Sequence, residues 1–169
     1  MPTCNFLVSQ TSAIEEDNIQ MIEEQQDRDV RFMRLALAEA EQAYAEGEIP
    51  VGAVIVAGGR VIARAHNQTE KLHDVTAHAE MLAITAAADL LGGKYLKDCT
   101  LYVTVEPCVM CAGAIGWAQI DRIVYGAGDD KRGYTLLAPR AFHPKAKVTT
   151  GVLADDCRQL MQRFFKNRR

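Results

Sequence analysis

The pattern of apolar and polar positions along the chain predicts an alternation of helices and strands. Apolar positions at helical spacing, together with helix start and stop signals, predict helices over 29–44, 77–91, 108–119 and 155–166. Short β-branched runs predict strands at 51–57, 60–65, 101–105, 122–126 and 147–149. Gly58 and Gly59 should join the first two strands into a hairpin. This order implies one sheet with helices on both faces.

The first residues of the chain differ in character from the rest. Residues 1–29 hold seven acidic residues and one basic residue, and no apolar period is evident before residue 27. We therefore predict that residues 1–27 form an acidic, flexible extension, with at most a frayed helix around 14–22. A single domain should follow at 28–169.

Charge is distributed unevenly although the net charge is only −3. Residues 131–169 hold ten Lys and Arg residues and two acidic residues. A basic C-terminal third is typical of a surface that binds a polyanion, but it also fits a solvated helix end.

Length and composition restrict the class of protein. The chain has 169 residues, 49% of them hydrophobic, which suits one globular domain with a full core. No apolar run approaches the ~18 residues of a membrane span, and no signal-like N-terminus is evident. The five cysteines are an odd number, which favours a reducing compartment. These features predict a cytoplasmic protein without a membrane segment.

Two short motifs carry the candidate chemistry: His78-Ala79-Glu80, and Pro107 followed by Cys108 and Cys111. One His and two Cys make three zinc ligands, the number typical of a catalytic site that keeps a position open for water. Glu80 could then exchange protons with that water and a leaving nitrogen. A redox-active Cys pair or half of a structural zinc site would also fit the Cys-x-x-Cys motif alone.

The combination of the two motifs resembles the zinc-dependent cytidine and deoxycytidylate deaminase superfamily. Over 28–169 the chain is similar to its branch of bacterial tRNA-specific adenosine deaminases, in the segments 47–54, 76–80, 101–114, 122–127, 143–144, 151–155 and 164–169. The resemblance implies a three-layer α/β/α cytidine-deaminase-like fold with a central mixed five-stranded sheet. The loop 128–137 departs from the commonest family sequence, so no contacts are inferred for it.

The same resemblance implies a role for individual residues. His78, Cys108 and Cys111 would bind one zinc ion per subunit, and Glu80 would be the proton shuttle. Asn67 and the backbone N–H of Ala79 would contact the purine. The C-terminal segment would contact RNA, with Arg163, Phe165, Lys166, Arg168 and Arg169 as the candidate residues.

The function implied is hydrolytic deamination of adenosine to inosine at the wobble position of a tRNA anticodon loop, by a homodimer. One alternative is a deaminase of free guanine or cytosine with the same metal chemistry. A second alternative is a zinc protein that binds RNA without catalysis. The basic C-terminal helix argues against the former, and Glu80 argues against the latter.

Overall fold

The computed structural model describes residues 5–168, with side chains described from residue 16 onward. The elements follow the order α1 Asn5–Ala45, β1 Gly52–Ala57, β2 Arg60–His66, α2 Ala79–Leu91, β3 Cys99–Val105, α3 Val109–Trp117, β4 Arg122–Ala127, α4 Tyr134–Leu137, β5 Lys147–Thr150 and α5 Ala154–Asn167. The strands form one five-stranded sheet in the order β2-β1-β3-β4-β5. β3, β4 and β5 are parallel, and β1 is antiparallel to both of its neighbours. The predicted mixed sheet is confirmed.

Side chains alternate between the two faces along each strand, so both faces of the sheet carry apolar residues. Helices cover both of these faces. Ile55, Leu101 and Val103 pack with the small residues of α2 and with α3. Val54 and Tyr102, on the opposite face, pack against α1 and α5. The predicted three-layer α/β/α architecture is therefore confirmed.

The first helix is longer than the sequence pattern predicted. It begins at Asn5 and continues without interruption to Ala45, so the helix start expected near Asp29 was wrong. Residues 16–24 are exposed on all sides, which explains why no apolar period marks them. Once the packed part of a helix is formed, each further residue adds one backbone hydrogen bond without the cost of nucleation.

A buried ion pair fixes this helix on the sheet. Both oxygens of Asp29 accept hydrogen bonds from the Arg122 guanidinium, at 2.7 and 2.6 Å. The Tyr102 hydroxyl also donates to Asp29, at 2.9 Å. Burial raises the pKa of Asp29, but the hydrogen bonds from Arg122 and Tyr102 outweigh it and leave that pKa below its usual value.

The segment between β4 and β5 is more ordered than a loop. The four-residue helix α4 lies between β4 and β5, where the sequence pattern predicted no helix or strand. A helix this short leaves too little apolar periodicity to be recognised in sequence. Among the helices of residues 5–168, none is long and apolar enough to cross a membrane.

Candidate metal centre and base-binding loop

Both sequence motifs lie at helix starts, as predicted. His78 is the N-cap residue of α2, and Cys108 is the N-cap residue of α3, each with an extended backbone. Pro107 follows β3 by two residues and leads the chain directly into α3. The turn therefore brings Cys108 and Cys111 to the C-terminal end of a central strand, where ligand sites of open α/β sheets form.

The three candidate ligands converge on one point. Nδ1 of His78 lies 3.7 Å from Sγ of Cys108 and 3.5 Å from Sγ of Cys111. All three donor atoms lie within 4.8 Å of one another. Tetrahedral zinc with Zn–N of ~2.0 Å and Zn–S of ~2.3 Å requires N···S separations of roughly 3.5 Å. The donor set fits a zinc ion in both chemistry and spacing.

The electrostatics of the centre favour a thiolate. A hydrogen bond from Cys111, followed by one from His78, lowers the pKa of Cys108 to about 4 despite its burial. The same hydrogen bond raises the pKa of Cys111, and the hydrogen bond to Cys108 raises the pKa of His78. The N-terminal ends of α2 and α3 add partial positive charge at this point.

Glu80 lies beside the three ligands in the first turn of α2 and is only 3% exposed. Burial, and next the negative charge of Cys108, raise its pKa to about 7. A carboxyl group whose pKa lies near neutrality can both accept and donate a proton, as a general acid–base group must. Ala79, between His78 and Glu80, lies in the same first turn, where backbone N–H groups have no partner within the helix.

Asn67 lies directly after β2 and is buried, with 5% exposure. A backbone hydrogen bond of 3.0 Å from Gln68 to Ala77 closes the loop between them. This bond brings the backbone of Gln68, the neighbour of Asn67, against that of Ala77, the neighbour of His78. Asn67 also donates to the buried carboxylate of Glu48 at 3.0 Å.

Two buried glutamates that sequence reasoning missed hold the loops around the centre. Glu48 accepts from the backbone N–H of Lys71 at 2.8 Å. Glu106 accepts from the backbone N–H groups of Asp129 and Thr135, at 2.9 and 3.0 Å. Their only sequence signal is position, since Glu48 precedes a Pro and a strand and Glu106 precedes Pro107. Sequence alone gives no sign that either carboxylate is buried.

Of the predicted RNA-contacting residues, Arg163, Phe165 and Lys166 lie on α5 and Arg168 is its C-cap residue, while Arg169 lies outside the described residues. Phe165 is 48% exposed, whereas the neighbouring Phe164 is 4% exposed and packs inward. Arg163 and Lys166 are also exposed. Arg168 is exposed as well, and its guanidinium donates to the Gly47 carbonyl and lies over the Phe164 ring at 4.4 Å.

Comparison with known families agrees with this geometry. Residues 26–127 match the model for the cytidine and deoxycytidylate deaminase zinc-binding region. The chain therefore belongs to the cytidine and deoxycytidylate deaminase family, and zinc is the metal of this family.

Relatives and solved structures within the family give a finer comparison. The tRNA-specific adenosine deaminase of Streptococcus pyogenes serotype M18 is 45% identical over 143 residues, which cover 82% of this chain and 90% of that protein. The enzyme of the same name from Bacillus subtilis is 43% identical, covering 84% and 91%.

Two solved structures bear on the choice of substrate. A structure from a study of A-to-I editing by tRNA:A34 deaminases at the wobble position superposes with a TM-score of 0.73 at 44% identity, covering 77% of this chain and 98% of that one. A guanine deaminase from Bacillus subtilis gives a TM-score of 0.56 at 43% identity, covering 58% and 63%. The identities are alike, so the difference between the two relatives lies in how much of the chain they match.

Proposed function

We propose that this protein hydrolyses adenosine to inosine at the wobble position of a tRNA anticodon loop. The observation that carries the proposal is similarity to tRNA-specific adenosine deaminases at 43–45% identity over more than four fifths of the chain. The convergent His78, Cys108 and Cys111 donors support the chemistry. A single-stranded loop suits such an enzyme because its base can be splayed into a pocket without breaking a duplex.

In this proposal His78, Cys108 and Cys111 hold one zinc ion per subunit. Bound there, zinc supplies the Lewis acidity that makes water a nucleophile at neutral pH. Glu80 takes a proton from the attacking water and returns it to the departing nitrogen. Water supplies the new oxygen at C6 of the purine, and the amino group leaves as ammonia. Asn67 and the N–H of Ala79 bind and orient the purine.

The C-terminal surface is proposed to hold the RNA. Arg163, Lys166, Arg168 and Arg169 would contact phosphates, and Phe165 could stack on an unpaired base. Support comes from the position of Arg168, which bonds to the carbonyl of Gly47, the residue before Glu48. Because Glu48 bonds to Asn67, these contacts link the end of α5 to the loop that follows β2, residues 67–77.

We also propose that the enzyme is a homodimer and acts in the cytoplasm, where tRNA is available to it. Trp117, at the end of α3, is 85% exposed, and Leu136 and Leu137, in the helix α4 that contacts α3, are 58% and 63% exposed. Large exposed apolar residues of this kind are typical of an interface with a partner. Sedimentation equilibrium of the wild type and of Trp117→Glu tests this, and a monomeric wild type would contradict it.

The experiment for the main proposal is incubation of the zinc-loaded enzyme with total tRNA and, separately, with free adenine, guanine and cytosine. Nucleoside analysis should find inosine formed from tRNA, and no deaminated free base. The guanine deaminase match gives the second candidate a specific basis. Turnover of free guanine without inosine in tRNA would replace the proposed function with that candidate.

A further inference from the structure

The Glu48 carboxylate is only 1% exposed and is surrounded by donors from a single loop. It accepts from Asn67 Nδ2 at 3.0 Å and from the Thr69 hydroxyl at 3.4 Å. It also accepts from the backbone N–H groups of Glu70 at 3.2 Å and Lys71 at 2.8 Å. Burying a carboxylate is costly unless it is well hydrogen-bonded, so these four contacts have to form together.

Glu48 dictates the orientation of the Asn67 amide. An Asn side chain has two N–H donors on nitrogen and one acceptor oxygen. An ionised carboxylate can only accept, so it selects Nδ2 of Asn67 over Oδ1. The Thr69 hydroxyl oxygen lies 3.2 Å from the same nitrogen. Both amide hydrogens of Asn67 therefore have acceptors within the protein.

The Asn67 oxygen is left for a ligand. Oδ1 accepts no hydrogen bond from the described residues, although every fully buried side-chain nitrogen or oxygen among them has a partner. Oδ1 therefore reaches accessible space. The hydrogen bond from Gln68 to Ala77 brings the chain next to Asn67 against the chain next to His78, which favours a position for this space on the side of the metal centre.

We propose that Glu48 is a positioning residue, which holds the Asn67 amide so that its oxygen faces the base. The bound base must then present a hydrogen-bond donor to Asn67, as the amino group of adenine does. This proposal rests on the proposed function for the identity of the base. The orientation itself depends only on the contacts among Glu48, Asn67 and Thr69.

Hydrogen exchange of the Asn67 side-chain amide tests the orientation without any substrate. In the zinc-loaded, ¹⁵N-labelled protein, the Asn67 resonances are assigned by their loss in Asn67→Asp. They should exchange at least about tenfold more slowly than those of the exposed Asn18, since both hydrogens are bonded. In Glu48→Gln this protection should be lost. Wild-type exchange as fast as that of Asn18 would overturn the proposal.

A double-mutant cycle on a tRNA anticodon stem-loop tests the consequence for catalysis. Glu48→Gln and Asn67→Ala should each lower kcat/KM about 10- to 100-fold, the range expected for hydrogen bonds that involve a charged group. If Glu48 acts through Asn67, the double variant should be no worse than Asn67→Ala alone. An effect of Glu48 that does not pass through Asn67 would instead make the two losses multiply, and a role in stability alone would leave kcat/KM of the folded Glu48→Gln variant unchanged; either result would overturn the proposal.

Glu106→Gln is the matched control, because Glu106 is also a buried glutamate that holds a loop but does not contact Asn67. The loss of kcat/KM in Glu106→Gln should multiply with the loss of kcat/KM in Asn67→Ala. Zinc content and Tm are measured for every variant. If Glu48→Gln does not fold, Thr69→Val removes one acceptor only and should partly release the Asn67 amide. Unchanged exchange in Thr69→Val would then overturn the proposal.

The test of the proposed function and the exchange test of Glu48 can fail independently of each other. A wild-type enzyme without activity on tRNA would overturn the proposed function, while the exchange experiment would still decide the role of Glu48. Multiplying catalytic losses would overturn the proposal even if the Asn67 hydrogens were protected from exchange.

Discussion

Two carboxyl groups of this protein are equally buried and differ in almost every other respect. Glu80 and Asp29 are each 3% exposed. Asp29 bonds to a guanidinium, and its pKa is below the usual value. Glu80 has a thiol and an imidazole as neighbours, and burial raises its pKa to about 7. Burial alone thus says little about role; the partners decide whether the pKa of a buried carboxyl group is lowered, as at Asp29, or raised, as at Glu80.

The largest effect should come from removing a zinc ligand. Cys108→Ala leaves two protein donors, which is fewer than the three or four that zinc sites use, so zinc and activity should both be lost. Metal analysis of the freshly purified variant checks this. Cys99→Ala, which removes a buried thiol outside the centre, should keep its zinc. Full zinc content in Cys108→Ala would show that the ligand set is wrong.

Removing the Glu80 carboxylate tests the difference between Glu80 and Asp29 most directly. Glu80→Gln should retain zinc and Tm, because Glu80 is not proposed as a ligand and has no cationic partner among the described residues. Deamination should fall about 10²- to 10⁴-fold, the typical contribution of a general acid–base group. Single-turnover rates measure this. Wild-type turnover in Glu80→Gln would end its assignment as the proton shuttle.

Asp29 should show the opposite behaviour. Asp29→Asn breaks a buried ion pair, which typically costs about 3–5 kcal/mol of stability, while turnover at permissive temperature stays near that of the wild type. Because the pKa of Asp29 is lowered in the folded state, its stabilisation is present above the usual Asp value of ~3.9 and is lost as pH falls below it.

Urea unfolding of zinc-loaded wild type and Asp29→Asn between pH 3 and 7 measures this difference in the free energy of unfolding. The difference should be constant near neutrality and shrink toward pH 3. A difference that grows on acidification would contradict the lowered pKa. If Asp29→Asn instead kept its full stability and lost turnover, Asp29 would have a role in catalysis and would not differ from Glu80 in the way proposed.

Substitutions on the basic C-terminal surface should have graded effects, because they act through summed charge. Replacing Arg163, Lys166 and Arg169 with Ala should raise KM for tRNA and flatten its salt dependence, by roughly 0.7–0.9 in log–log slope for each phosphate that the variant no longer neutralises. Zinc content and Tm should not change. Arg168 is left intact because it also contacts Gly47. A wild-type KM for tRNA that does not depend on salt would contradict the proposal that this surface binds RNA.

The smallest effect should follow from shortening the first helix. We propose that residues 1–27 are an extension that the deaminase domain, 28–169, does not need. Deleting residues 1–24 should change Tm and activity little, since side chains 16–24 are exposed. Deleting 1–26 also removes the 2.9 Å bond from Gln25 to Asp29 and should cost slightly more. A large loss of stability in the shorter deletion would contradict the boundary.

The sequence predicted the metal centre well because its parts have fixed short spacings at helix starts. His78 and Glu80 lie in one turn, and a cysteine pair three residues apart occupies one helix face. Glu48 was missed because its partners are distant in sequence, and a buried glutamate has the same letter as a solvated one. The part of α1 before Asp29 was missed for the converse reason, since its described side chains 16–24 are all exposed and an exposed helical segment leaves no apolar period.

The direction of α1 has a practical consequence for how the protein can be tethered. Asp29 meets Arg122 at the start of β4, which is the end of the parallel strands opposite Cys108. The chain continues from there toward its N-terminus as helix, over roughly 36 Å at 1.5 Å per residue. An affinity tag, a fluorophore or a fused domain attached before α1 would therefore stand well away from the end of the strands that carries Cys108. If the basic surface binds tRNA as proposed, the same addition after α5 would compete with it.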